Sequence, residues 1–229
     1  MTLALRHARV RYGPLEALHG ITLAAPSPGL TVLLGRNGSG RTTTLRALAG
    51  TVPLSAGAVV WDGVDVTRVP AYERARRGLC LVPERGAVFG SLTVRENLEL
   101  TARAYDRALD AYPRLAGLLD HRAGTLSGGE QRMLALSRVL LARPRVVLVD
   151  EAAQGMSPAV AARTYELLAA LDACVVLAEQ RLPPALHGHP ALVYELRRGA
   201  VVFSGEAAEL RTAPGAARRP PRSGPRPAG

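Results

Sequence analysis

A glycine-rich stretch, GRNGSGRT at residues 35–42, limits the possible folds of this chain more than any other segment. It follows an apolar run, TVLLG, and opens a helix-forming run, RTTTLRALAG. A glycine-rich turn between a buried strand and a helix leaves backbone N–H groups unpaired and directed at one point, where the helix dipole favours negative charge. The stretch therefore predicts a phosphate-binding loop. The competing interpretation is an ordinary strand-to-helix turn with incidental glycines.

The loop departs from the usual phosphate-binding pattern at one position. The pattern G-x-x-x-x-G-K-[ST] has lysine where this chain has Arg41. A lysine ammonium is a compact point charge, whereas a guanidinium is planar, longer and forked. All 29 basic residues of the chain are arginine. Arg41 therefore has two explanations: a change of function at this loop, or a chain-wide replacement of lysine to which the pocket has adjusted.

Strand-like and helical patterns alternate along most of the chain. Continuous apolar runs such as VVLVD at residues 146–150 and VVLAE at 175–179 predict a mainly parallel sheet that is covered on both faces. Residues 3–25 and 191–205 instead have the pattern of antiparallel strands joined by turns. The predicted fold is α/β, with an N-terminal antiparallel β subdomain.

Helical patterns fill the middle of the chain, at about 85–125, and predict a helical insert within the α/β core. Thr93 is the expected cap of the first helix of this insert, and a second helix is predicted around residues 107–119. The folded domain is predicted to span residues 1–211.

The formal net charge is +10, and half of it lies at the end of the chain. Residues 211–229 hold five arginines and no acid, so the remainder has 24 basic against 19 acidic residues, or +5. Because this end is rich in Pro, Gly and Ala, it cannot bury enough apolar surface to offset its ordering entropy, and residues 212–229 are predicted to be disordered. The tail is either a basic arm for nucleic acid or lipid headgroups, or an inert solvated extension.

No apolar run approaches the roughly 18 to 20 residues of a membrane helix. Charged residues appear too early in the N-terminal segment for a signal peptide. Any membrane role is therefore expected to act through a partner. Cys80 and Cys174 lie in separate apolar runs. This placement favours buried thiols of a reduced, cytoplasmic protein over a disulfide or a metal site.

The run VVLVDE ends in two acids, Asp150 and Glu151, about a hundred residues after the glycine-rich loop. A buried strand that ends in two carboxylates is the usual partner of a phosphate loop. Asp150 is the candidate for the shell of a nucleotide-bound Mg²⁺, to which Thr42 could add its hydroxyl, and Glu151 is the candidate that polarises an attacking water.

A second candidate anion site is LSGGEQR at residues 126–132. Ser127 can cap the helix that follows, while Gly128 and Gly129 leave the N–H groups of the first turn uncovered. Judged only by its capping hydroxyl and its N–H groups, Ser-Gly-Gly is also compatible with a plain capped helix. The full seven-residue string is much more specific.

That string is the signature of ATP-binding cassette (ABC) ATPases, and the chain resembles an ABC ATP-binding subunit over residues 3–210. It is most similar to the second ATPase subunit of branched-chain amino acid importers, a group that includes urea and amide importers. VPERGAVFGSLTVRENL at 82–98, RAGTLSGGEQ at 122–131 and AEQ at 178–180 carry this closer likeness. Most ABC subunits have glutamine at the position of Glu84 and histidine at that of Gln180, whereas this subgroup has Glu and Gln.

The resemblance implies a P-loop NTPase core, with ATP and Mg²⁺ as cofactors. It implies adenine stacking on Tyr12, for which a plain strand aromatic is the alternative interpretation. It also implies Mg²⁺ near Thr42, Glu84 and Asp150. Two catalytic residues are implied: Glu151 as general base, and Gln180 as the switch-loop contact to the γ-phosphate.

The remaining implied nucleotide contacts lie on two segments. The first segment holds the triphosphate and comprises Gly35, Arg36, Asn37, Gly38, Ser39, Gly40, Arg41, Thr42 and Thr43. The second segment closes over the ATP of the opposite subunit in a head-to-tail dimer and includes Ser127, Gly128, Gly129 and Gln131. A monomer is therefore expected to be catalytically incomplete.

The partners implied are membrane permease subunits and a second ATP-binding subunit, identical or related, and no nucleic acid is expected. The implied location is cytoplasmic, on the inner face of the cell membrane through the partner subunits. Besides Arg41, the chain departs from the resemblance in AAQGMSP at 152–158, where something nearer PSLGLAP is expected. The helical insert is also shorter by about a dozen residues.

Three functions follow from the sequence. The first is the ATP-hydrolysing subunit of an importer of branched-chain amino acids or related small polar solutes. The second is a degenerate subunit that closes on ATP with little hydrolysis because of Arg41. The third is a soluble ABC ATPase that acts on nucleic acid, which the basic tail suggests; such proteins usually carry two cassettes or long coiled-coil insertions, and this chain has neither.

Overall fold

The computed structural model describes residues 2–211, and the tail at 212–229 lies outside the described residues. Over residues 2–211, no helix has both the length and the apolar character required to cross a membrane. The described part of the chain forms two β-sheets with six α-helices packed around them.

The strands are numbered in chain order. They are β1 (Thr2–Tyr12), β2 (Leu15–Pro26), β3 (Gly29–Leu34), β4 (Ala56–Trp61), β5 (Val64–Asp65), β6 (Leu79–Val82), β7 (Val146–Asp150), β8 (Cys174–Glu179), β9 (Ala191–Arg197) and β10 (Ala200–Glu206). The α-helices are α1 (Arg41–Ala49), α2 (Ala71–Arg76), α3 (Val94–Glu99), α4 (Asp106–Ala111), α5 (Gly128–Ala142) and α6 (Pro158–Ala169).

The first sheet has four strands in the order β2-β1-β4-β5, and its strand pairs are antiparallel. The second has six strands in the order β10-β9-β3-β8-β7-β6. Its five strands from β9 to β6 run parallel, and only β10 is antiparallel, as the hairpin partner of β9. The predicted mainly parallel sheet and N-terminal antiparallel subdomain are confirmed.

The six-stranded sheet separates two hydrophobic cores. On one face, Val147 and Val149 of β7 pack in the core that α5, α6 and the insert helices cover. On the other face, Val146 and Leu148 of the same strand pack in the core shared with α1 and the antiparallel sheet. Because both faces of the strand are buried, its sequence is continuously apolar instead of alternating.

The helical insert is confirmed, but its second helix is shorter than predicted. Thr93 caps α3 as expected, since its hydroxyl accepts from the Glu96 N–H at 3.1 Å and the Glu96 carboxylate bonds back to Thr93. The predicted helix over 107–119 is divided: α4 ends at Ala111, and a 3₁₀ helix follows over Pro113–Leu118. Pro113 has no N–H to donate and disfavours helical backbone at the residue before it, which ends α4.

A buried arginine joins α2 to the end of α1. Arg74 is 1% exposed, and its guanidinium donates to five backbone carbonyl groups. These belong to Ala47, Leu48, Val66, Thr67 and Val69. Two of them lie in the last turn of α1, where the helix dipole favours a cation. Burial lowers the pKa of Arg74.

Candidate functional site

Three neighbouring parallel strands bring the candidate residues together at their carboxyl ends. The glycine-rich loop follows β3, the two acids lie at the end of β7, and Gln180 follows β8. The register places Leu34 opposite Glu179, and the Gly35 N–H donates to the Glu179 carbonyl at 3.2 Å. The sheet therefore places the loop, Asp150 and Gln180 along one edge.

The loop leaves the first turn of α1 free for an anion. Gly40 is the N-cap residue of this helix at φ 104°, where it supplies no side-chain acceptor, and the first turn contains no acid. A Cβ on Gly40 would lie 2.8 Å from the Leu18 side chain, and one on Gly35 would lie 2.5 Å from the Leu196 carbonyl. Glycine is therefore required at both positions. Within residues 2–211, the N–H groups of the first turn of α1 have no backbone acceptor, as is usual at a helix start.

The other predicted loop residues lie at two depths. Arg36, Asn37 and Gly38 are exposed, Ser39 is buried, and Thr43 is half-buried at the start of α1. The loop therefore has an exposed rim above a buried floor.

Arg41 lies on that floor with part of its guanidinium unsatisfied. Its side chain is 6% exposed, and Nη2 lies 3.0 Å from Oε1 of Glu151. Within residues 2–211, Nη1 of Arg41 and the hydroxyl of Ser39 have no hydrogen-bond partner. Buried donors without partners are costly, so each of these atoms is a candidate donor to a bound anion. A phosphate group is such an anion.

Thr42 and Asp150 form a second polar pair beside the loop. The Thr42 hydroxyl donates to Oδ2 of Asp150 at 2.7 Å, although the two residues are far apart in sequence. A hydroxyl oxygen beside a carboxylate is a donor set that suits Mg²⁺ held jointly with phosphate oxygens. The residues present therefore fit the expected cation.

Glu84, the third residue predicted near the metal, contacts a different segment. Its carboxylate is 40% exposed and accepts from Nε2 of Gln154 at 3.2 Å. Gln154 lies in the stretch after Glu151 that departs from the family resemblance. The proximity of Glu84 to the metal stays a prediction.

Glu151 has a strained backbone, and Gln180 is exposed. The φ angle of Glu151 is 52°, in the left-handed region that costs a residue other than glycine about 1–3 kcal/mol. Gln180 directly follows Glu179 at the end of β8, and its contact with a nucleotide stays a prediction.

The second predicted segment forms the start of α5 as expected. Ser127 is the N-cap: its hydroxyl accepts from the Glu130 N–H, and the Glu130 carboxylate bonds back to Ser127, which lowers the pKa of Glu130. Gly129 lies against the Gly155 carbonyl so closely that a Cβ would collide with it, whereas Gly128 faces open space. Gln131 donates from Nε2 to the Leu126 carbonyl at 3.1 Å. The roles of these residues toward a nucleotide stay predictions.

Tyr12 lies at the end of β1, is 42% exposed, and pairs across the hairpin with Leu15. The second strand of this hairpin approaches the phosphate loop at Gly40, through Ala17 and Leu18. An exposed aromatic ring at the end of this hairpin is compatible with the predicted stacking on adenine.

Two buried charged residues were missed by the sequence reasoning. Arg132, the last residue of LSGGEQR, is 5% exposed, and Glu179, at the end of β8, is 6% exposed. Burial lowers the pKa of Arg132. Burial also raises the pKa of Glu179 to about 7, against hydrogen bonds from the Ala152 N–H and Tyr165 that lower it. The sequence did contain a signal for their burial, since each of these charged residues lies within or next to an apolar run.

The fold and the site define a nucleotide-binding α/β protein of the P-loop class. The start of α1, with a glycine N-cap and no acid in its first turn, suits a phosphate chain. Sequence comparison then gives the family. Residues 18–154 match the ABC transporter family, and the chain belongs to this family.

Named relatives and solved structures agree with this assignment. The chain is 33% identical over 215 residues to the high-affinity branched-chain amino acid transport ATP-binding protein BraG of Pseudomonas aeruginosa, with 89% of this chain and 92% of BraG covered. It is 34% identical over 212 residues to the "Probable branched-chain amino acid transport ATP-binding protein LivF" of Archaeoglobus fulgidus, with 87% and 89% covered.

The crystal structure of an ATP-binding cassette of an ABC transporter in its ADP conformation superposes with a TM-score of 0.79. The sequence identity is 22%, and 93% of this chain and 96% of that one are covered. The predicted resemblance and the predicted P-loop fold are confirmed.

Proposed function

We propose that this chain is the ATP-binding and ATP-hydrolysing subunit that powers an importer of branched-chain amino acids or related small polar solutes. The observation that carries the proposal is a phosphate cradle that shares one sheet edge with the Thr42–Asp150 pair and Glu151. The names of both relatives, which are branched-chain amino acid transport ATP-binding proteins, support the class of solute.

Each group at the sheet edge has a role in phosphoryl transfer. The loop amides and Arg41 would hold the phosphate chain of ATP, and Thr42 and Asp150 would hold Mg²⁺, which when bound neutralises charge on the β- and γ-oxygens. Glu151 would take a proton from the attacking water. The water oxygen then bonds to the γ-phosphorus, the bond from that phosphorus to the bridging oxygen breaks, and ADP leaves with the electron pair.

Other residues would orient the reactants. Gln180 would contact the γ-phosphate or the attacking water from the end of β8. Glu84 would join the metal shell only after it exchanges its hydrogen bond to Gln154 for a metal-bound water. Tyr12 would stack on the adenine from the rim.

The start of α5 would complete the site of a second subunit. Ser127 and Gly128 are exposed, and the amides that follow them lie at the positive end of a 15-residue helix. In a head-to-tail dimer these groups and Gln131 would close over the ATP held by the other subunit, identical or related. Permease subunits would carry the dimer on the cytoplasmic face of the membrane, and no nucleic-acid partner is proposed.

A second candidate function is favoured by the ion pair of Arg41 and Glu151. The pair ties the cation of the phosphate loop to the acid proposed to activate water. If this pairing persists with nucleotide bound, the chain is a subunit that closes on ATP and scarcely hydrolyses it. The two functions share the phosphate site and differ only in turnover.

Calorimetry with MgATP and steady-state phosphate release by the purified full chain test the proposal, with EDTA as the control. Binding together with Mg²⁺-dependent release supports the hydrolysing subunit. Binding without release at any protein concentration supports the second candidate. Absence of binding rejects both.

A further inference from the structure

Both peptide groups that flank Glu151 are fixed by hydrogen bonds. In the peptide before it, the Glu151 N–H donates to the Ala178 carbonyl at 2.9 Å, and the Asp150 carbonyl accepts from Nη2 of Arg132. This peptide is therefore bonded at each end.

The following peptide is fixed in the same way. The Ala152 N–H donates to Oε1 of Glu179 at 2.9 Å, and the Glu151 carbonyl accepts from the Gln154 N–H at 3.3 Å. Because two adjacent peptide planes define φ and ψ of the residue between them, these four bonds set the backbone conformation of Glu151.

Two of the four partners are buried, ionisable side chains that come from other elements. Arg132 reaches across from α5 and also donates to the Ala152 carbonyl at 3.3 Å and the Pro83 carbonyl at 2.6 Å. Glu179 comes from the neighbouring strand β8. Burying a charge is costly unless its hydrogen bonds are satisfied, so each of these side chains is strongly bound to its position.

The conformation that they hold is one that Glu151 would not adopt alone. Its φ of 52° lies in the left-handed region, which persists in a residue other than glycine only where the surroundings impose it. In this conformation the Glu151 carboxylate is directed at Arg41, on the floor of the phosphate pocket.

We propose that Arg132 and Glu179 are positioning residues for hydrolysis: they clamp the backbone on both sides of Glu151 and thereby aim its carboxylate into the phosphate pocket. The inference rests on the proposed function, because it assigns a role within that reaction. Arg132 also lies five residues after Ser127, so the same side chain joins the helix that faces the second subunit to the segment that carries the base.

The test compares Glu179→Leu with Glu179→Gln in the full chain. The leucine removes the acceptor of the Ala152 N–H, whereas the glutamine keeps an oxygen at the same place. By NMR, amide exchange at Ala152 should accelerate about 10-fold or more in Glu179→Leu and stay near the wild-type rate in Glu179→Gln. The amide of Val147, in the core of β7, should be unchanged in both.

Turnover shows whether the clamp serves the reaction. Glu179→Leu should lower kcat for MgATP about 100-fold, the loss expected from a misplacement of about 1 Å, with KM within about 2-fold of wild type. Glu179→Gln should restore kcat to within a few-fold. Arg132→Lys should behave like Glu179→Leu, because a single ammonium cannot reach three carbonyls. If Glu179→Leu does not fold, the same measurements are made on Arg132→Lys instead. Arg143→Lys, at the far end of α5, is the matched control.

Three results would overturn the inference: unchanged exchange at Ala152, unchanged kcat in both clamp variants, or a glutamine variant as slow as the leucine variant. Partial unfolding lowers the apparent kcat with KM unchanged, so the folded fraction of each variant is measured by circular dichroism. A fall of kcat that only matches the fall of this fraction would be a fourth contradiction. A wild-type chain without turnover would contradict the proposed function, and the exchange rates would still show whether the clamp holds the segment.

Discussion

Nη2 of Arg41 lies 3.0 Å from Oε1 of Glu151, and the two side chains are only 6% and 15% exposed. The cation at the lysine position of the phosphate loop is thus bound to the acid that is proposed to activate water. Glu151 has to release this guanidinium, or share it with a phosphate oxygen, before it can take a proton from a water. We therefore expect the rate of hydrolysis to depend on whether the Arg41 guanidinium binds the Glu151 carboxylate or a phosphate oxygen.

Replacing Arg41 by lysine should accelerate hydrolysis. A lysine ammonium is compact and fits between phosphate oxygens, whereas the forked guanidinium can hold Glu151 at the same time. We expect Arg41→Lys to raise kcat for MgATP roughly 10-fold, with a smaller change in KM. Steady-state phosphate release measures both constants.

The matched control is Arg46→Lys, an exposed arginine on the same helix, which should leave kcat unchanged. If Arg41→Lys has the wild-type rate, the pairing with Glu151 does not limit turnover, and the second candidate function loses its basis.

The stability of the protein should fall as the pH rises through the titration of Glu179. Burial raises its pKa from 4.5 to about 7, so between these values the folded chain binds a proton that the unfolded chain has lost. This bound proton contributes about 3 kcal/mol to the free energy of unfolding. The contribution is fully present below about pH 4.5 and is lost above about pH 7. Glu179→Gln removes this titration.

Urea unfolding at pH 5 and pH 8 checks this prediction. The difference in unfolding free energy between the wild type and Glu179→Gln should shift in favour of the variant at the higher pH. A difference that is the same at both pH values would show that Glu179 titrates normally.

Arg74 should be essential for stability although it lies away from the nucleotide site. Arg74→Met keeps most of the side-chain volume but removes a donor from five backbone carbonyls, two of which, those of Ala47 and Val66, still accept a backbone N–H. We expect a loss of about 3–5 kcal/mol of unfolding free energy by urea denaturation. Arg77→Met, at a 48% exposed side chain at the end of α2, is the control and should change stability by less than about 0.5 kcal/mol. Equal effects in the two variants would contradict the role of the buried hydrogen bonds.

The two glycines of the LSGGEQR segment should respond differently to alanine. A Cβ on Gly129 collides with the Gly155 carbonyl, whereas a Cβ on Gly128 meets nothing within 4 Å. We expect Gly129→Ala to lower the melting temperature of the chain by several degrees, as for a loss of about 1–3 kcal/mol, and Gly128→Ala to leave it nearly unchanged. Comparable melting temperatures for both variants would show that the contact between Gly129 and Gly155 does not stabilise the fold.

Much of the fold and the site follows from local sequence signals. The glycine-rich loop predicted the strand before it and the helix after it, and the caps at Thr93 and Ser127 were predicted from the residues that follow them. The carboxyl ends of parallel strands meet at one edge of a sheet, so the neighbourhood of Asp150 and the loop also followed from the pattern.

The remainder depends on contacts between residues that are distant in sequence. The clamp by Arg132 and Glu179 joins α5, β7 and β8, and the Glu84–Gln154 bond joins two loops, so neither produces a local pattern. The ion pair of Arg41 and Glu151 was missed for the same reason, because the sequence shows the unusual arginine and not its partner. The division of the helix at Pro113, by contrast, had a local signal.

The most direct measurement of the central claim is phosphate release from MgATP by the full chain beside its Glu151→Gln variant, with nucleotide binding measured on both. The account predicts Mg²⁺-dependent release by the wild type, and in the variant a loss of about 100-fold or more in kcat with binding of MgATP retained, since an amide cannot accept the proton of the attacking water. Release that is the same in both proteins, or no binding of MgATP by either, would contradict it.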